Sequence, residues 1–237
     1  MMPTSSTMEI VAPRTDMLLN RSRARAYTAC MQPNDRLSEL EARPPRLPAS
    51  GRRDQIVAEA AALFADRGYH GTSMQDIAER VGMLKGSLYA HVANKEEILL
   101  EIVSTAARLF TDAVRPVMLR ADAPAATLRD ALSAHMEVIA GSRAEATVFL
   151  FEWRHLEGQP LRWFREARER YEAMWDTLVR AAQGAGVLPG TVEPRTVVRL
   201  ILSAAAGACH WALESAESEA TPIAEALADL LLHHAAE

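Results

Sequence analysis

The chain has 237 residues, 49% of them apolar and only 5% aromatic, with a formal net charge of -5. That length allows one large domain or two small ones with a real core, and an alanine-rich, aromatic-poor composition suits close-packed helices better than sheets. The acidic balance argues against wholesale coating of nucleic acid but leaves room for a local phosphate-binding surface, because the basic excess lies towards the N-terminus: net +2 over residues 1–51, +1 over residues 52–95 and -8 over the remainder.

Residues 1–50 show no sustained period and collect Pro, Ser and Arg, ending in Arg43-Pro44-Pro45-Arg46-Leu47-Pro48. They are expected to form a largely disordered N-terminal extension, either a plain tail, an upstream start or a basic arm that touches DNA. Only a short helix near Asp16–Tyr27 is expected there.

From Arg52 the pattern turns helical. Ile56, Ala60, Leu63 and Phe64 share one face, and Gly68 supplies a stop. Thr72-Ser73-Met74-Gln75 has the spacing of a capping box, with Thr72 as cap and Gln75 reaching back. Met74, Ile77, Ala78 and Val81 form a short apolar stripe, Gly82 follows, and a second short helix is expected over Lys85–Val92. Two short helices around a glycine turn have the spacing of a helix-turn-helix. The first packs on the preceding helix and the second enters the major groove.

Asn94 with Glu97 reads as the cap of a long helix bearing Ile98, Ile102, Ala106, Leu109 and Ala113, with Pro116 near its end. Further helices are expected around Leu128–Ile139, over Ala144–Arg154, from Pro160 to Gly184 and Gly186, and over residues 194–216 and 222–235. No segment alternates like a strand, so the fold class is all-α. The expected organisation is an extension (1–50), a helix-turn-helix DNA-binding domain (51–97) and a helical ligand-binding and dimerisation domain (98–237).

The run Thr72-Ser73-Met74-Gln75-Asp76-Ile77-Ala78-Glu79-Arg80-Val81-Gly82, then Lys85-Gly86-Ser87-Leu88-Tyr89 and Asn94-Lys95-Glu96-Glu97, resembles the DNA-binding domain of the TetR family of bacterial repressors over about Arg52–Leu100. Two positions depart from that pattern: Leu84 stands where a small polar residue commonly caps the recognition helix, and Val92 where an aromatic is common. The resemblance implies that Lys85, Gly86, Ser87, Tyr89 and His91 face DNA. The residue chemistry agrees: Lys85 can neutralise phosphate or read guanine, while Ser87 and Tyr89 offer hydroxyls to phosphate or base edges. Thr72, Ser73 and Gln75 sit at a helix N-terminus suited to phosphate, and Arg52, Arg53 and Lys95 flank the surface.

One helix-turn-helix reads too few base pairs to select a double-stranded operator, which calls for a homodimer on two half-sites. Val197, Val198, Ile201, Leu202, Ala205 and Cys209, with Ile223, Leu227, Leu230 and Leu231, offer apolar faces for that interface or for burial within the protomer.

Between residues 149 and 175 aromatics and arginines concentrate. Trp153, Arg154, Arg162, Phe164, Arg168, Tyr171 and Trp175 could form an apolar slot rimmed by guanidinium groups, suited to a small-molecule effector that is an amphipathic anion such as an acyl-CoA. The segment is similar to the acyl-CoA-responsive branch of the family. Two alternatives stay open: these aromatics are core with the arginines paired to Glu166, Glu169 and Glu172, or the effector is an uncharged aromatic.

No cofactor, metal or catalytic activity is expected, and neither is a membrane partner, since no apolar run approaches the roughly 20 residues of a bilayer span. Cys30 and Cys209 lack metal-ligand spacing and suit a reduced, cytoplasmic chain. Glu152-Trp153-Arg154-His155 has the Glu-x-x-His spacing of di-iron bundles, but the chain holds no second copy. A metal-dependent enzyme using Glu152 and His155, with His135 and His210, is therefore the weakest alternative. A dimeric ligand-binding or scaffolding protein that has lost DNA binding is another.

Overall fold

The computed structural model describes residues 51–120, 122–214 and 220–232, and the expected extension over residues 1–50 lies outside them. Every regular element among the described residues is a helix, with no strand among them. In chain order the helices are α1 (Gly51–Arg67), α2 (Met74–Arg80), α3 (Lys85–Leu88), α4 (Lys95–Leu119), α5 (Pro124–Gly141) and α6 (Arg143–Thr147). A π-helical turn (Val148–Glu152) and a 3-10 turn (Trp153–His155) follow, then α7 (Gly158–Gly184), α8 (Pro194–Glu214) and α9 (Ala220–Leu232).

The helix-turn-helix is built as its residues dictate. Ile56, Ala60, Leu63 and Phe64 of α1 are buried together with Ile77 and Ala78 of α2 and with Leu88. At the turn Gly82 adopts φ +67, which an L side chain resists. Its N–H reaches Glu79 O at 3.1 Å and that of Met83 reaches Ala78 O at 2.8 Å, a Schellman closure that ends α2 sharply. Gly186 (φ +73) closes α7 in the same way.

The cap of α2 lies one residue later than its sequence suggests. Ser73 is the N-cap: its hydroxyl accepts from Asp76 N, and the Asp76 carboxylate accepts from Ser73 N at 2.7 Å. Thr72 is drawn inward instead, its hydroxyl within 3.3 Å of Leu63 O and 3.1 Å of Gly68 O, where it satisfies carbonyls at the end of α1. Gln75 is left to bond Glu79 along the helix.

The recognition helix is also shorter than expected. α3 ends at Leu88 and the chain continues to Val92 as turns, because Leu84 at its start offers no side-chain acceptor and Gly86 adds backbone freedom.

Asn94 caps α4 as expected, its Oδ1 accepting from Glu97 N at 2.8 Å. Helix α4 runs from the helix-turn-helix into the helical domain and packs on α5 and α7, while α8 packs on α7 and α9 on α5. The core of this domain comprises Ile102, Phe110, Val114, Leu128, Leu132, His135, Phe164, Tyr171, Trp175 and Leu178.

The single helix expected over Ala144–Arg154 divides into α6, the π turn and the 3-10 turn. A π turn is a wide insertion that tends to mark functional positions in helices. Its consequence here is to carry Phe149 inward and to bring Glu152 to the α1–α2 loop.

Candidate nucleic-acid interface and helical core

The residues expected to face DNA divide into two groups. Lys85, Gly86, Ser87 and Tyr89 are exposed on and just after α3, anchored beneath by fully buried Leu88. Leu84 and Tyr89 are 79% and 48% exposed. Ser73 and Gln75 are exposed at the start of α2, and half-buried His91 lies beyond α3. These side chains offer one cation, three hydroxyls, an amide and an imidazole.

The other group is turned inward. Arg53 is buried; its guanidinium bonds Glu101 at 2.7 Å and 3.0 Å, Glu97 at 2.7 Å and the carbonyl of His91. Burial opposes its charge, and the hydrogen bonds to Glu97 and Glu101 outweigh that opposition. Arg53 thus pins α1 to α4 and is spent inside the protein rather than on phosphate. Lys95 is likewise committed: its ammonium donates to Tyr69 O and Thr72 O, both at 2.8 Å, and sits 4.1 Å from the centre of the Tyr69 ring. Burial lowers its pKa. Thr72 is buried as described above. Arg52 belongs instead with the exposed residues, its guanidinium bonding Gln55 at 2.9 Å and Val81 O at 3.2 Å.

Sequence reasoning missed the joint beside this surface. Glu152 accepts from Tyr69 N at 2.7 Å, and the same oxygen lies 3.6 Å from His155 Nε2. The His155 ring stacks on Tyr69 at 5.2 Å with an interplanar angle of 12°, and His70 meets it edge-on at 4.2 Å. The Glu-x-x-His spacing brings these two side chains together as a pair. Among the described residues no group of three potential ligands gathers, and His135 lies elsewhere, on the Tyr171 hydroxyl. The His210 side chain is outside the described residues.

In the helical domain the expected slot separates into an inner and an outer layer. Phe164, Tyr171 and Trp175 are interior, and half-buried Trp153 stacks on Phe164 at 5.0 Å. The guanidinium groups face outward. Arg168 pairs with Glu172 at 2.9 Å and passes 5.8 Å from the Trp153 ring; Arg154 bonds Phe151 O at 2.7 Å; Arg162 is exposed. Two side chains not singled out for this core join it: Phe110 stacks on His135 at 4.7 Å, and His135 Nδ1 lies 2.7 Å from the Tyr171 hydroxyl.

The faces of α8 also need correcting. Val197, Val198, Ile201 and Ala205 are buried within the protomer, so they are core. The outer face carries Leu200 (63% exposed), Ser203 and Ala204, and α9 presents Leu230 (77% exposed).

Comparison with known proteins agrees with this architecture. Residues 56–102 match the family described as bacterial regulatory proteins, tetR family, and residues 121–235 match the tetracyclin repressor-like C-terminal domain. The chain is 31% identical over 158 residues to the HTH-type transcriptional repressor KstR2 of Mycolicibacterium smegmatis, covering 66% of this chain and 75% of that one. Among solved structures, AibR in complex with isovaleryl coenzyme A and operator DNA is 26% identical, with a TM-score of 0.68 over 76% of this chain and 98% of that one. The ketosteroid transcriptional regulator KstR2 of Mycobacterium tuberculosis shares the fold, with a TM-score of 0.71 at 23% identity over 80% of this chain and 96% of that one.

Proposed function

Since the chain belongs to the TetR family of bacterial transcriptional regulators, we propose that it is a cytoplasmic repressor that binds a palindromic double-stranded operator as a homodimer and releases it when a small effector fills the helical domain. The observation that carries this reading is the exposed set Lys85, Gly86, Ser87 and Tyr89, presented by a glycine turn above a sealed core. A side chain with no internal duty at such a turn is suited to phosphate and base edges. Dimerisation is assigned to the outer apolar face of α8 with Leu230 of α9, in a four-helix arrangement.

The effector is assigned to an amphipathic anion such as an acyl-CoA. Isovaleryl coenzyme A bound to AibR supports that class, as does an aromatic interior lying beneath an arginine-bearing surface here. Release follows from a shift between two populations, and the effector must bind better to the conformation whose reading heads are badly spaced. Helix α4 and the Glu152–Tyr69 joint connect the two units.

The test is a gel-shift titration of the protein on its own upstream DNA, at fixed salt, with and without long-chain acyl-CoA. Specific binding released by the thioester is expected. Binding that ignores it would keep the regulator and reject the effector class. Failure on that DNA and on selected random DNA would instead favour a dimeric ligand-binding protein, a reading for which the uncapped and exposed Leu84 is the single pointer.

A further inference from the structure

The interior of the helical domain holds a polar arrangement that the fold leaves incomplete. His135 on α5 is 3% exposed; Phe110 of α4 stacks on one side at 4.7 Å and Trp175 of α7 meets it edge-on at 5.8 Å. Nδ1 faces the Tyr171 hydroxyl at 2.7 Å, but Nε2 has no hydrogen-bond partner, and the indole N–H of Trp175 has none of good geometry. Buried polar atoms are nearly always paired, so two unpaired nitrogens in one aromatic cluster call for an explanation.

The proton positions follow from the surroundings. The Trp175 N–H stabilises the Tyr171 oxygen electrostatically without reaching hydrogen-bond geometry. That oxygen therefore turns its own proton to the acceptor beside it, His135 Nδ1. A neutral imidazole that accepts at Nδ1 carries its hydrogen at Nε2. Burial pushes the His135 pKa down to about 4, which keeps the ring neutral near pH 7. The cluster thus aims an unused N–H donor into an apolar, aromatic setting, where a neutral acceptor is welcome and an ionised one costs heavily in desolvation.

Phe149, on the π turn, rests on Phe110 and Phe164, with ring centres 5.3 Å apart in each case. The same turn ends in Glu152, which holds Tyr69 of the DNA-binding unit. Phe110 thus touches both His135 and Phe149, whose turn carries the joint.

We infer that His135 Nε2–H recognises a carbonyl oxygen on the buried, uncharged end of the effector. The inference rests on the proposed effector-binding role of the helical domain and adds to it: the effector bears a ketone or similar neutral acceptor at its inner end, whatever anionic group it carries outside.

The experiment uses the full chain and two probe pairs. Octanoyl-CoA is compared with 7-oxooctanoyl-CoA by calorimetry. Cyclohexanone is compared with methylenecyclohexane by the 15N and 1H resonances of the His135 ring and the Trp175 indole. The oxo thioester is expected to bind about tenfold more tightly, a preference that His135→Phe abolishes, and cyclohexanone alone is expected to shift the His135 Nε2 resonance. Should both thioesters fail to bind while cyclohexanone still shifts it, the donor site stands and the amphipathic-anion reading falls. The inference is overturned if either pair binds without preference, if the preference survives in His135→Phe, or if no probe perturbs His135. The resonance measurement uses the wild-type chain, so it decides the matter even where His135→Phe fails to fold.

Discussion

The carboxylate of Glu152 accepts the backbone N–H of Tyr69 at 2.7 Å across 83 residues of sequence. Tyr69 lies in the loop that joins α1 to the helix-turn-helix, and its carbonyl holds Lys95 at the start of α4. One carboxylate therefore links the π turn of the helical domain to the loop that positions the reading helix. Removing the acceptor leaves the Tyr69 N–H unpaired in a half-buried place, a loss of about 1–2 kcal/mol. Glu152→Ala is expected to lower the unfolding free energy by that amount and to blunt effector release more than it weakens effector-free operator binding. Glu152→Gln keeps an oxygen for Tyr69 and should stay near wild type in stability. Denaturant titration of both variants is decisive, and equal stability of wild type and Glu152→Ala would remove the joint from consideration.

His135 makes stability depend on pH in a predictable direction. Its pKa in the folded protein is lowered by burial from the ordinary 6.5 to about 4, so the unfolded chain takes up the proton first. The neutral ring contributes its full share above the unfolded value, and this share is lost as pH falls from about 6.5 towards 4. At pH 5 the loss is on the order of 2 kcal/mol relative to neutral pH. Other titrating groups also respond to acid, so the quantity to measure is the difference between wild type and His135→Phe. The wild-type protein should lose more stability between pH 7 and pH 5, and parallel pH profiles would refute the assignment.

Long helices with one apolar stripe were readable from their period and end signals: Asn94 does cap α4, and α7 does carry Pro160 in its first turn. What escaped depends on partners distant in sequence. Arg53 looks like a surface arginine at the start of a helix, and its burial follows only from Glu97 and Glu101, which lie 44 and 48 residues away. Thr72 and Ser73 are equivalent as caps in local chemistry, and only the position of the α1 carbonyls decides between them. The π turn leaves no trace in the hydrophobic period. Helix α8 is apolar on more than one face, so its sequence did not say which side is the inner one.

That ambiguity yields a test of the dimer. Leu200 lies on the outer face of α8 while Val198 lies on the inner one. An acidic residue at Leu200 faces water in a monomer but is desolvated in a four-helix interface. Leu200→Glu is expected to shift sedimentation towards the monomer, with the fold intact and operator affinity down at least tenfold. Val198→Glu buries a charge within the protomer and should unfold it. An unaltered dimer in Leu200→Glu would place the interface on another surface.

Lys85 and Lys95 stand close in sequence but have opposite commitments, and salt dependence separates them. Lys85 is exposed and makes no side-chain hydrogen bond among the described residues, whereas Lys95 donates to Tyr69 O and Thr72 O. Each phosphate neutralised by the protein contributes about 0.9 to the slope of log affinity against log salt. Lys85→Ala should therefore weaken operator binding and reduce the slope by about 0.9 per protomer that uses it on phosphate, with stability unchanged. Lys95→Ala removes donors from two inward carbonyls, so it is expected to cost about 1–2 kcal/mol of stability. At temperatures where it remains folded, its salt slope should match wild type. Binding isotherms at three salt concentrations measure both. If Lys95→Ala lowered the slope as Lys85→Ala does, its ammonium would have left the loop for phosphate in the complex, and the Tyr69 loop would itself rearrange on the operator.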